Sequence, residues 1–228
     1  MRKVLISAIT VLLSELPSST IWTHGVSMHC ARVVLVLGAC SVLPQTAVTQ
    51  TCTDAHYRWT EKTMESLASV TASRTTITTI LTSWSVPDLT GQPQYKCAPR
   101  AGKELQTYSV IGWVRRVRTG EEDGDWHIEL TSRSNSAIDS CIVAEIPPAE
   151  LAASYGQARA DLQGWASWNA QGDVAPPVRL RFIGAAFFDG EHRGGPTHRD
   201  RTDGAHGRCN ASVRALWELH PVYWVRPP

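Results

Sequence analysis

The chain has 228 residues, with 22 Lys and Arg against 21 Asp and Glu, for a formal net charge of +1. That balance excludes a global field drawing the protein to nucleic acid or an anionic membrane, so any such affinity must come from a local patch. Hydrophobic residues at 43% and charged residues at 19% exclude a disordered chain and suit one domain or two small ones.

Two short apolar runs open the sequence, Val4–Leu13 and Val33–Leu43. Each falls short of the roughly 20 residues that cross a bilayer. Arg2 and Lys3 precede the first and Arg32 the second, which is the layout of a secretory signal. Residues 1–49 are therefore read as a signal region, with an over-long start before Met28 and cleavage near Gln50. The expected address is secreted or periplasmic, with no transmembrane span in the mature chain. Leu37-Gly38-Ala39-Cys40 resembles a bacterial lipobox, so a lipoprotein anchored through Cys40 is the alternative. Beyond the signal remain Cys52, Cys97, Cys141 and Cys209, with no Cys-x-x-Cys. That count and spacing favour disulfides over a zinc site. Of the three pairings, Cys52–Cys97 with Cys141–Cys209 is preferred, because each bond then closes a loop within one half of the chain.

Residues 50–103 read as an N-terminal segment packed on a domain that spans 104–228. Within it, Arg74–Trp84 is rich in β-branched residues and fits a strand or a short helix, and Pro87–Pro99 is a loop. The pattern then sharpens. Thr107–Arg118 reads as a strand and Thr119–Gly124 as a turn. Asp125–Ser132 alternates as a second strand, and Ser140–Ile146 is a third, ended by Pro147-Pro148. The period changes over Ala149–Trp168, where Leu151, Tyr155, Ala158 and Leu162 stand at helical spacing. Val178–Phe188 is a fourth strand, Asp189–Arg214 a long loop, and Leu216–Val225 a fifth strand in which Pro221 marks an edge or a bulge. Nine Trp are expected mainly to fill the core.

Three strands, a helix and two strands is the element order of the OB-fold, a five-stranded Greek-key barrel, and the resemblance covers about residues 104–226. The expected class is mainly β: a small OB-like five-stranded barrel with one helix between its third and fourth strands, preceded by a short α/β segment. The same half carries Asp125-Trp126-His127, Glu145-Ile146-Pro147, Phe187-Phe188-Asp189-Gly190-Glu191-His192 and Glu218-Leu219-His220-Pro221. These pieces resemble those of an uncharacterised group of exported bacterial proteins. The resemblance implies export and a shared domain, and no reaction.

Alternation places the acids and histidines of these strands opposite their apolar residues. The outer face of the barrel is thus expected to carry Asp125, His127, Glu145, Asp189, His192, Glu218 and His220 in solvent. The preferred function is an exported module that uses this face to bind an extended polar ligand or a partner protein. The alternative is a metal-dependent hydrolase or nuclease, because carboxylate and imidazole suit a divalent metal, the one cofactor considered. The bland reading is a solvated face of cross-strand salt bridges. Arg and Gly in the 189–214 loop give nucleic acid only a weak handle. No nucleophile elbow, P-loop or dinucleotide fingerprint is present, which leans the reading away from an enzyme.

Overall fold

The computed structural model describes residues 56–87, 97–193 and 207–228, all inside one compact unit spanning Thr49–Pro228. The signal region, Cys40 and Cys52 lie outside the described residues.

The strands are β1 (Ser73–Thr75), β2 (Thr107–Arg118), β3 (Trp126–Thr131), β4 (Cys141–Ile146), β5 (Asp173–Phe188) and β6 (Trp217–Arg226). The helices are α1 (Trp59–Lys62), α2 (Ile77–Ser83) and α3 (Ala153–Trp165). The sheet runs β1-β2-β3-β4-β6-β5, and β2 also pairs with β5, closing β2 to β6 into a five-stranded barrel. Within the barrel β4 and β6 are parallel and every other pair is antiparallel. With α3 between β4 and β5, this is the expected OB-like barrel. Closure leaves its strands without free edges.

Strand alternation selects the core. Val110, Val114, Ile128, Leu130, Ile142, Ala144, Leu180, Phe182 and Leu219 point inward and are at most 2% exposed. The helix α3 lays Tyr155, Ala158 and Leu162 against the barrel from one face, as their spacing requires. Tyr155 stacks on Tyr223 with ring centroids 6.3 Å apart. The two hydroxyls donate to the carbonyls of Thr63 and Met64, which ties the N-terminal segment to the barrel.

Several boundaries differ from expectation for local reasons. Arg74–Trp84 divides into β1 and α2, because the Thr76 hydroxyl accepts from the Thr79 N–H and starts a helix. The strand β5 begins at Asp173, ahead of Pro176-Pro177. The β2–β5 ladder is interrupted between Val114 and Arg116, so neither proline is asked for a donor. Pro221 does mark a bulge. Gly184 pairs with Val222 and Ala186 with Leu219, so β6 carries an extra residue there. A side chain at Gly184 would meet the Pro221 carbonyl oxygen at 2.7 Å, so only glycine permits the approach.

Tryptophan fills the core only in part. Trp84 and Trp217 are buried and meet edge to face at 5.0 Å, whereas Trp165 and Trp224 are exposed. Cys141 and Cys209 form a disulfide, and Cys97 is also disulfide-bonded. No helix among the described residues is long and apolar enough to cross a membrane.

Candidate functional site

The seven acids and histidines singled out from the sequence lie together, but they are not in solvent. They form a band across the outer side of β3, β4 and β6 and the end of β5. Asp125, Asp189 and His220 are at most 1% exposed, and His127, Glu145 and Glu218 at most 7%. Only His192 is half-buried. The expected open face is therefore covered, in part by α1 and in part by the chain around Cys209.

The disulfide brings Cys209 onto Cys141, and with Val143 and Ala215 these residues form a second, small core on the outside of β4. Beside it, Arg208 donates from Nε to Glu129 at 2.6 Å and from its backbone N–H at 2.9 Å. Gly207 adopts φ +60, and a Cβ there would stand 2.7 Å from both His127 and Glu129. On the other flank Lys62 reaches Asp189 at 3.2 Å, and Arg58 pairs with Glu104 through both terminal nitrogens. Arg100 donates to the carbonyls of Ala186 and His220, on either side of the bulge. It thereby fixes the backbone that aims His220.

Register builds the rest. His127 and Glu145 are direct cross-strand partners, and His127 Nδ1 lies 3.0 Å from Glu145 Oε1. His220 Nδ1 lies 2.8 Å from Glu145 Oε2 and 3.3 Å from Glu218 Oε2. Its Nε2 faces Asp125 Oδ2 at 3.1 Å. That contact falls short of hydrogen-bond alignment: both Asp125 oxygens and His220 Nε2 are buried and complete no hydrogen bond with a described residue. Asp125, Glu145 and His220 each present a ligand atom, all within 4.8 Å of one another. Asp189 stands at the edge, with His192 Nδ1 at 2.8 Å from Oδ2 and the Glu191 and His192 N–H groups donating to Oδ1.

The electrostatics follow from burial against charge. Burial pushes the Asp125 carboxyl up, more than the imidazole of His220 pulls it down. Burial opposes charge on His220, but Asp125 and Glu145 outweigh it and hold the imidazolium well above the usual range. Glu145 is held well below the usual carboxylate range: burial opposes its charge, and His220 and His127 overcome that. His127 is raised by Glu145 against the same burial cost. For Lys62 the balance is burial against Asp189, and its pKa stands well above that of an ordinary lysine.

Sequence reasoning missed Lys62, Arg58, Arg100, Glu104, Glu129 and Arg208. The signal for the last two was present: a Cys141–Cys209 bond requires the loop end to lie on the outside of β4. No family model matches the chain, and neither a curated protein nor a solved structure matches it.

Proposed function

We propose that the protein is a metal-binding barrel module that holds one divalent cation between Asp125, Glu145 and His220. The observation that carries this reading is that Asp125, Glu145 and His220 each offer a buried ligand atom within 4.8 Å of the others, while Asp125 Oδ1 and Oδ2 and His220 Nε2 lack an aligned hydrogen bond. The cation would displace the proton that pairs His220 with Asp125 at 3.1 Å. Buried polar atoms left in that condition cost free energy, which a cation between them recovers. The other nitrogen of His220 lies against Glu145 and Glu218, the outer-shell arrangement that orients a ligating imidazole. One imidazole and two carboxylates form a borderline donor set that suits zinc or manganese.

Turnover of a substrate asks for more, because the donors must be open to it. Asp125, Glu145 and His220 are 1%, 7% and 0% exposed, so the reading is cation binding and not hydrolysis. Export belongs to the same proposal: a disulfide such as Cys141–Cys209 persists in oxidising compartments.

A second reading has its own support. An imidazolium at His220 between Asp125 and Glu145 makes a self-contained charge network that pins the covering segments. Thermal shift separates the two. Added zinc or manganese should raise the melting temperature of the chelator-treated full chain and leave Asp125→Asn unmoved. A parent that melts at one temperature with and without metal supports the charge network instead.

A further inference from the structure

We propose that a single-stranded nucleic acid binds in an arginine-lined groove on the open side of the barrel, across β1, β2, β5 and the end of β6. This is a different face from the band of acids and histidines, and it stands independently of the cation reading.

Two adjoining depressions of 460 and 410 Å³ share Arg74, Ser109 and Arg181 in their walls and so form one groove. Arg133 and Arg179 line the first, and Arg226 lines the second. No Asp or Glu side chain lines either. Arg181 donates to the Ser109 hydroxyl at 3.1 Å, and among the described residues none of the five guanidinium groups forms an ion pair. In contrast, Arg58 and Arg208, on the covered side, are each paired with a carboxylate.

Strand geometry orders these cations. Arg179 and Arg181 alternate outward along β5, about 6.6 Å apart at the rise of an extended strand. Arg226 is the register partner of Arg181. Like charges directly opposite one another destabilise a sheet, so the pairing costs stability unless an anion lies between them. Guanidinium forks match phosphate oxygens in pairs.

Two tryptophans favour a nucleic acid over other polyanions. Trp113 is the register partner of Arg179, and Trp224, 38% exposed, is that of Ile183. Neither lines the depressions themselves; by register they stand beside them, about 13 Å apart along β5. Indole rings beside a cationic strip suit bases joined by a phosphate backbone. A duplex keeps its bases stacked inside and leaves such rings unused.

The test is fluorescence anisotropy of a dye-labelled dT12 oligomer titrated with the full chain at several salt concentrations. Each phosphate engaged on a single strand contributes about −0.7 to the slope of log affinity against log salt, so five arginines predict about −3.5. Arg179→Gln/Arg181→Gln should weaken binding at least tenfold and flatten the slope by about 1.4. Trp224→Ala should cost roughly tenfold with the slope unchanged. Arg226→Gln is the second charge variant should the double one fail to fold. Arg118→Gln, whose side chain pairs with Glu121 off the groove, should keep the parent affinity. A parent that does not bind dT12 at low salt overturns the proposal. So does parent-like affinity in the charge variants. A sulfated oligosaccharide of matched charge that displaces dT12 while Trp224→Ala binds normally also overturns it, in favour of a glycan.

Discussion

Replacing Arg58 with methionine tests how the N-terminal segment is locked to the barrel. Arg58 is 1% exposed and donates to both carboxylate oxygens of Glu104, at 2.8 and 2.9 Å, and from Nε to the Ala98 carbonyl at 2.8 Å. Glu104 is 5% exposed and also accepts the N–H of Phe188 at 2.9 Å and of Ala101 at 3.2 Å. Arg58→Met leaves that carboxylate buried with two backbone donors and without its paired guanidinium, Arg100 reaching only the Glu104 carbonyl. Breaking a buried pair from one side costs about 3–5 kcal/mol. For a unit of this size each kcal/mol lowers the melting temperature by about 2–4 °C, so the expected fall is roughly 6–20 °C. Arg58→Met/Glu104→Leu removes the orphaned charge but strands the Phe188 and Ala101 N–H groups, at about 1–3 kcal/mol each. The double variant should therefore remain below the parent, yet lose at least about 2 kcal/mol less than the two single losses added together. Denaturant unfolding of the parent, Arg58→Met, Glu104→Leu and the double variant gives the cycle. Single losses under about 1 kcal/mol, or strict additivity, would refute the assignment of Arg58–Glu104 as a lock.

Three further outcomes follow from the same packing. Cys141 and Cys209 are 68 residues apart, so removing their bond with Cys141→Ser/Cys209→Ser should cost about 4 kcal/mol on the chain-entropy model, read as a lower denaturation midpoint. Burial lowers the pKa of His192, but the Asp189 charge overrides it and lifts the pKa to about 9, with Glu218 raising it and Lys62 lowering it. The stability His192 contributes is thus fully present below about pH 6.5 and lost as pH rises through about 9, so melting profiles of the parent and His192→Asn should converge at alkaline pH. Trp217 is 2% exposed, packs on Trp84 and Phe188, and donates to the Ser85 carbonyl, so Trp217→Ala should cost about 3–5 kcal/mol in chemical denaturation. Trp126, half-buried against Trp168 and Arg159 at the margin of the core, should cost clearly less.

The barrel was legible because its strands alternate and its helix changes the period. Thr107–Arg118 emerges with the expected bounds, since the strand runs unbroken along the barrel between β3 and β5. Where the sequence misled was the second face. In β4, CIVAEI, every residue is buried, and an alternation rule that assigns one face to water has no term for a loop folded back over it. Val143, apolar on the supposed wet side, and Cys141 beside it were the residues that betrayed the cover. The cluster itself was legible as a set of residues but not as a geometry: Asp125 immediately precedes β3, Glu145 lies on β4 and His220 on β6, and only the parallel β4–β6 pairing brings the last two side by side. The arginine groove escaped notice because Arg74, Arg179, Arg181 and Arg226 are scattered singly through the chain, and only barrel closure gathers them.

The central claim is that Asp125, Glu145 and His220 hold a cation. Calorimetric titration of the chelator-treated full chain with zinc, and separately with manganese, tests it most directly. The account predicts one saturating site per chain for at least one of the two metals, lost in Asp125→Asn with the barrel's circular dichroism unchanged. A folded parent that takes up neither metal, or an Asp125→Asn variant that binds as the parent does, would contradict it.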